Sequence, residues 1–212
     1  MKLILGMGIT GLSAARFFAK NNEIFRIADS RKNPALLKVF QEENLLDDCY
    51  FGDWNESILK DIDEVVISPG IAQSEDIVRW IRERKLNLIS DVELFGRHSN
   101  APIIGITGSN GKSTVTQLLG EMALANHLNV VICGNIGTPV LESIAENTDL
   151  YVVELSSYQL DYTNQLDLFA AVITNISPDH LDRYENYEAY IASKLSIYSY
   201  SQYAIANLDD SI

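Results

Sequence analysis

Nothing in this sequence approaches the roughly 18 to 20 uninterrupted apolar residues that cross a bilayer, and the run Leu3 to Leu5 is too short for a secretion signal. The expectation is a cytoplasmic chain that does not insert into membranes. Cysteine is nearly absent. Cys49 and Cys133 stand far apart, outside any metal-ligand spacing, and read as reduced structural thiols. Positive charge is also scarce, with 16 basic against 29 acidic residues and a formal net charge of -13, which excludes a general affinity for nucleic acid. Any phosphorylated ligand must therefore be held locally, by backbone amides, helix N-termini, a few Lys or Arg and metal ions. Internal repeats and low-complexity tracts are lacking too.

What is there is 47% hydrophobic content in 212 residues, enough for buried cores, and a regular cadence of short β-rich runs and helical patterns. Strands are expected at Leu3 to Leu5, Phe25 to Ala28, Val65 to Ile67, Ile103 to Thr107, Val130 to Ile132, Tyr151 to Leu155 and Ala171 to Ile176. Helices are expected at Leu12 to Asn21, Ala35 to Glu42, Glu75 to Lys85, Lys112 to Asn126 and Tyr187 to Tyr198. Alternation of this kind gives an α/β fold with parallel sheets covered on both faces. Two glycine-rich strand-to-helix turns about a hundred residues apart imply two domains. Asp91 to Pro102 lacks strand character and marks the boundary, giving a Rossmann-like domain over 1–92 and a P-loop-type ATPase domain over 93–212. Tyr203 to Asn207 reads as a further strand whose following connection has barely begun at Asp209 to Ile212, so the second domain is expected to be incomplete, with the natural protein continuing beyond 212.

The first turn, Gly6-Met7-Gly8-Ile9-Thr10-Gly11, fits G-x-G-x-x-G directly after an apolar strand, and Asp29 closes the next strand. Such glycines permit a tight turn, close approach of amides to a phosphate and close helix packing, while Asp29 suits a ribose or base. A nicotinamide or flavin dinucleotide fits equally well, and a purely structural turn remains open. Ser68-Pro69-Gly70-Ile71 adds a turn at the same sheet edge, or is an ordinary proline-glycine turn.

The second turn runs Thr107-Gly108-Ser109-Asn110-Gly111-Lys112-Ser113-Thr114. Loop amides cradle phosphates, Lys112 neutralises them and the Ser113 hydroxyl suits Mg²⁺. Ile106 stands where the usual phosphate loop has a glycine, so this is a variant. Glu154, at the end of an apolar strand, is the first metal-ligand candidate; its alternative is a surface-turn glutamate. Asn175 to Arg183 mixes metal ligands and phosphate binders around His180, or is a helix cap using Ser177 or Asp179. Lys194 alone reads as a solvated lysine.

Taken together with Gly134-Asn135-Ile136-Gly137, Glu154 to Leu160 (ELSSYQL) and Asp179-His180-Leu181-Asp182-Arg183, these motifs closely resemble the Mur ligases of peptidoglycan synthesis over essentially the whole chain. The resemblance implies an ATP- and Mg²⁺-dependent amide ligase, monomeric, with UDP-N-acetylmuramoyl-L-alanine and D-glutamate as substrates, a sister Mur ligase of other amino-acid specificity being the alternative. It implies ATP binding by Gly108, Ser109, Asn110, Gly111, Lys112, Ser113 and Thr114. Ile9, Thr10, Asp29, Ser30, Arg31, Ser68, Pro69 and Gly70, with Asn135 and His180 of the second domain, would bind the UDP-sugar. Mg²⁺ falls on Ser113, Glu154, His180 and a carbamylated Lys194, and catalysis on Lys112, His180 and Lys194. The spacing from His180 to Lys194 is one residue shorter than the family pattern. Because such ligases carry a third domain, this chain is expected to bind the UDP-sugar, to bind ATP weakly and not to turn over alone.

Overall fold

The computed structural model describes residues 1–180 and 182–210; Leu181 of the histidine motif and Ser211 and Ile212 of the last connection lie outside the described residues. The chain forms two compact units, Met1–Leu94 and Phe95–Ile212. No helix among the described residues is long and apolar enough to cross a membrane.

The first unit runs β1 (Lys2–Leu5), α1 (Ile9–Lys20), β2 (Phe25–Asp29), α2 (Leu37–Glu42), β3 (Cys49–Phe51), β4 (Glu64–Ile67), α3 (Asp76–Glu83) and β5 (Asn87–Ile89); α4 (Asp91–His98) crosses into the second unit. The sheet is fully parallel in the order β3-β2-β1-β4-β5. Its central strands bury Leu3, Ile4, Leu5, Val65, Val66 and Ile67, continuous apolar runs suited to a sheet covered on both faces. Helix α3 turns Ile77, Val78 and Ile81 inward, while Arg79 pairs with Asp76 and Glu83 on the exposed side. Because the chain winds out from β1 to β3 and then returns to β4, the loops after β1 and β4 part at a topological switch point, where open α/β sheets form ligand crevices.

The second unit contains β6 (Ile103–Thr107), α5 (Lys112–Ala125), β7 (Val130–Gly134), β8 (Leu150–Glu154), α6 (Ser157–Leu160), β9 (Leu168–Ile173), α7 (Tyr187–Leu195) and β10 (Ser201–Ala206). These strands are also parallel, in the order β10-β9-β6-β8-β7, so β6 is central and its following loop lies between those of β8 and β9. Buried Tyr151 of β8 meets Phe95 edge to face at 5.0 Å.

Several elements differ from expectation. Strands β3 and β5 and helices α4 and α6 are additional. Strand β9 lies three residues earlier than Ala171 to Ile176, and just beyond it the Thr174 and Asn175 side chains bind the second glycine turn. In the boundary segment, Asp91–His98 is helical, started by Ser90, whose Oγ accepts the Glu93 amide at 3.0 Å.

Candidate functional site

In the first unit a cleft of about 460 Å³ opens at the carboxyl edge, lined by Gly6, Gly8, Thr10, Asp29, Ser30, Arg31, Trp54, Ser68, Pro69, Gly70, Ile71 and Glu75. Helix α1 is capped by Gly8 without a side-chain acceptor, so its first amides lack the usual partner, the condition under which a helix start takes an anion. Gly11 is demanded by packing: a Cβ there would lie 1.8 Å from the Gly6 carbonyl oxygen. Asp29 is buried and accepts four donors, the Met7 amide at 2.7 Å, the Arg31 amide at 2.9 Å, and Arg31 Nε and Nη2 at 2.8 and 2.6 Å. Burial opposes its ionisation, but Arg31 and the two amides outweigh that and hold the carboxyl below its ordinary value. A ribose or base reaching Asp29 must therefore compete with the Arg31 guanidinium, whose side chain is 55% exposed and the more movable partner.

In the second unit, helix α5 starts at Gly111, which is left-handed (φ 78°) and offers no side-chain cap. The turn before it is clamped by the segment after β9. Asn175 O accepts the Ser109 amide at 2.8 Å, Asn175 Oδ1 accepts the Asn110 amide at 3.1 Å, and Thr174 Oγ1 donates to Asn110 O at 2.7 Å. Gly108 has no room for a side chain, since a Cβ would meet Thr174 Oγ1 at 2.0 Å. The Ser109 hydroxyl sits among Ser177 O, the Ser177 amide and Tyr190 OH, each at 2.9 Å, which ties the turn to α7. None of these loop contacts was legible from sequence.

Two lysines meet on one carbonyl oxygen. Lys112 Nζ donates to Gly108 O at 2.9 Å and to Ser109 O at 3.0 Å, and Lys194 Nζ donates to Gly108 O at 2.8 Å. Lys194 is buried, with its ammonium 4.9 Å from the Tyr190 ring centre. Burial, reinforced by the charge on Lys112, lowers its pKa from 10.5 to about 8. Between these two values the unfolded chain holds the proton that the folded chain has released, so stability rises with pH across that window and is lost again as pH falls through 8. Lys194→Met is expected to abolish that alkaline gain relative to wild type, read from denaturant midpoints at pH 7.5 and pH 10.

At the end of β8, Glu154 is buried; Oε1 accepts Asn135 Nδ2 at 2.9 Å, whereas Oε2 is buried without a partner. An orphaned buried carboxylate oxygen costs upwards of about 1–3 kcal/mol, and a cation relieves it. Mg²⁺ takes hard oxygen ligands, and the orphaned Glu154 Oε2 is one, so Glu154 fits Mg²⁺. Among the described residues no three His, Cys, Asp or Glu side chains form a closed cage. Mg²⁺ is commonly held by one or two carboxylates with waters and substrate phosphates completing its shell. His180 is exposed, left-handed (φ 53°), hydrogen-bonded through its amide to Asp179 Oδ1 at 2.9 Å, and its ring lies 5.0 Å from that of Tyr158.

The sequence model of the Mur ligase middle domain matches residues 106–212, and that of the Mur ligase MurD-like N-terminal domain matches residues 1–90. The chain belongs to the Mur ligase family. It is 44% identical over 209 residues to a UDP-N-acetylmuramoylalanine--D-glutamate ligase of Nitrosococcus oceani, covering 98% of this chain and 46% of that protein. A Marinobacter nauticus protein of the same name is 43% identical over 210 residues, with 99% and 47% covered. This Mur ligase chain thus spans about half the length of the curated relatives it matches. The crystal structure of UDP-N-acetylmuramate-alanine ligase from Thermotoga maritima shares the fold, with a TM-score of 0.57, 15% identity, 99% of this chain and 49% of that one covered.

Of the residues that the sequence assigned to the UDP-sugar, Thr10, Asp29, Ser30, Arg31, Ser68, Pro69 and Gly70 of the Mur ligase chain line one cleft. Ile9 does not line it; its side chain is 69% exposed. Asn135 and His180 lie in the other unit. The residues that the sequence assigned to ATP, Gly108 to Thr114, form one strand-to-helix turn, with Ser113 and Thr114 exposed on the first turn of α5. Trp54 and Glu75 were missed at the first cleft, and Tyr190 at the second turn. An aromatic at helical spacing gives no sequence signal that separates such a role from core packing.

Proposed function

We propose that this chain carries the nucleotide-sugar cleft and the ATP turn of a cytoplasmic, monomeric ligase that adds D-glutamate to UDP-N-acetylmuramoyl-L-alanine. The observation that carries the reading is the uncapped turn from Gly108 to Lys112, with two lysines gathered on its carbonyls and the orphaned Glu154 oxygen at the neighbouring strand end. In the reaction the alanine carboxylate attacks the γ-phosphorus of ATP, releasing ADP and forming an acyl phosphate. The amine of D-glutamate then displaces phosphate and the amide forms. Two anions meet in the first step, so Lys112 and the turn amides must hold the triphosphate and offset its charge.

Ser113, Glu154, His180 and Lys194 would hold Mg²⁺, which when bound supplies charge neutralisation at the transferring phosphate oxygens. Lys194 serves this only if its charge is reversed. With a pKa of about 8, roughly a tenth of it is neutral amine at pH 7, able to attack CO₂ and, on losing a proton, become an anionic carbamate. The carbamate nitrogen keeps one N–H, so donation to Gly108 O survives the change. Asn135, already bonded to Glu154, and His180 then orient the substrate carboxylate.

Calorimetric titration of the chain with UDP-N-acetylmuramoyl-L-alanine, Mg-ATP and NADH tests the reading. The UDP-sugar and Mg-ATP should each bind, without excluding one another, and NADH should not. Tight NADH binding with no heat from the UDP-sugar would contradict it.

A further inference from the structure

Trp54 and Glu75 both line the first cleft. Trp54 follows β3 and Glu75 follows the β4 turn, and in the sheet order those strands are separated by β2 and β1. Three strand spacings amount to roughly 14 Å. Across that gap Trp54 Nε1 donates to Glu75 Oε2 at 3.1 Å, an exposed bond that links the two loops, and both side chains line the cleft. Trp54 is the one aromatic side chain among the described residues lining the cleft. Its N–H is occupied by Glu75, and no other ring or cation packs on its faces among the described residues.

The order of strand ends adds a second argument. The glycine turn with its uncapped helix follows β1, Asp29 and Arg31 follow β2, and Trp54 follows β3. Steps of about 4.8 Å between neighbouring strand ends match the succession from phosphate to sugar to base in one nucleotide. The uncapped helix start, the Asp29–Arg31 pair and the loop that carries Trp54 therefore follow in that order along one edge.

Resting on the nucleotide reading of this cleft, we infer that Trp54 is a binding residue that stacks on the nucleobase, with Glu75 acting as a positioning residue that fixes the indole across the cleft. Base-to-aromatic stacking is sequence-tolerant, so this pair supplies affinity for the ring while neighbouring polar groups select it.

The test uses the 212-residue chain, in which Trp54 and Trp80 are the two tryptophans. In a Trp80→Phe background, UDP should change Trp54 emission saturably, and inorganic pyrophosphate, which has no base, should not. Trp54→Ala should weaken UDP at least about fivefold and leave pyrophosphate unchanged, Trp54→Phe should retain most of the affinity, and Glu75→Ala should fall between. The emission arm leaves position 54 intact, so it decides the matter even if Trp54→Ala does not fold. Emission unmoved at UDP saturation, or wild-type UDP affinity in folded Trp54→Ala, overturns the stacking role and leaves the nucleotide reading standing. A wild-type chain that binds no UDP overturns both.

Discussion

Lys112→Ala is expected to weaken Mg-ATP binding by about 100-fold while leaving UDP binding within about twofold. Lys112 now satisfies two loop carbonyls, at Gly108 and Ser109, and phosphate oxygens would take their place. Charge-assisted hydrogen bonds contribute about 1.5–3 kcal/mol each, so two weaker ones or one strong one give the quoted factor. The cleft proposed for uridine lies in the other compact unit and uses none of these atoms. A second consequence follows from the shared carbonyl. The charge on Lys112 helps to lower the Lys194 pKa, so Lys112→Ala should move the Lys194 titration back up from about 8, as lysine-selective NMR would report. Parallel loss of UDP and ATP binding would count against two separate sites.

Gly11→Ala should destabilise the first unit by about 3 kcal/mol or more, near the top of the range for overpacking. The atom it strikes cannot yield. Gly6 is held by its own amide on Ala28 O at 2.8 Å, and the next amide, Met7, is held by buried Asp29. Gly8→Ala is the matched control, because a Cβ there meets nothing within 4 Å. It should leave urea midpoints nearly unchanged while weakening UDP, since it crowds the amides proposed to hold the phosphate. Equal stability of the two variants would mean that the turn is less tightly wound than described.

Both glycine turns could be read from sequence because each is a local event: strand, glycines, helix start, all within twelve residues. The long apolar strands at the sheet centres were equally clear. Strands β3 and β5 were not, being three residues long at the sheet edges with partly exposed residues, so little alternation or apolar content marks them. Helix α4 had a signal that went unused, the S-x-x-E pattern of Ser90 to Glu93. Gly96 obscured it; a Cβ there would meet Leu166 Cδ1 at 2.5 Å, so a larger residue would have to displace that side chain.

At the sites, sequence named most of the residues but not what they do to one another. Asp29 proved saturated by Arg31 and two amides, and Lys194 proved buried on the loop carbonyl, where sequence alone gave a solvated lysine. The contacts of Trp54 with Glu75 and of Ser109 with Tyr190 join positions 21 and 81 residues apart. Such pairs depend on strand order, which no local pattern encodes.

Crystals of the chain grown with Mg²⁺ and a non-hydrolysable ATP analogue provide the most direct measurement. The β- and γ-phosphates should lie on the amides from Gly108 to Ser113, with Lys112 turned from the loop carbonyls onto phosphate oxygen and an ion bound to Glu154 Oε2. Nucleotide bound elsewhere, or a saturated crystal in which Lys112 stays on Gly108 O and Glu154 Oε2 gains no ion, would contradict the account.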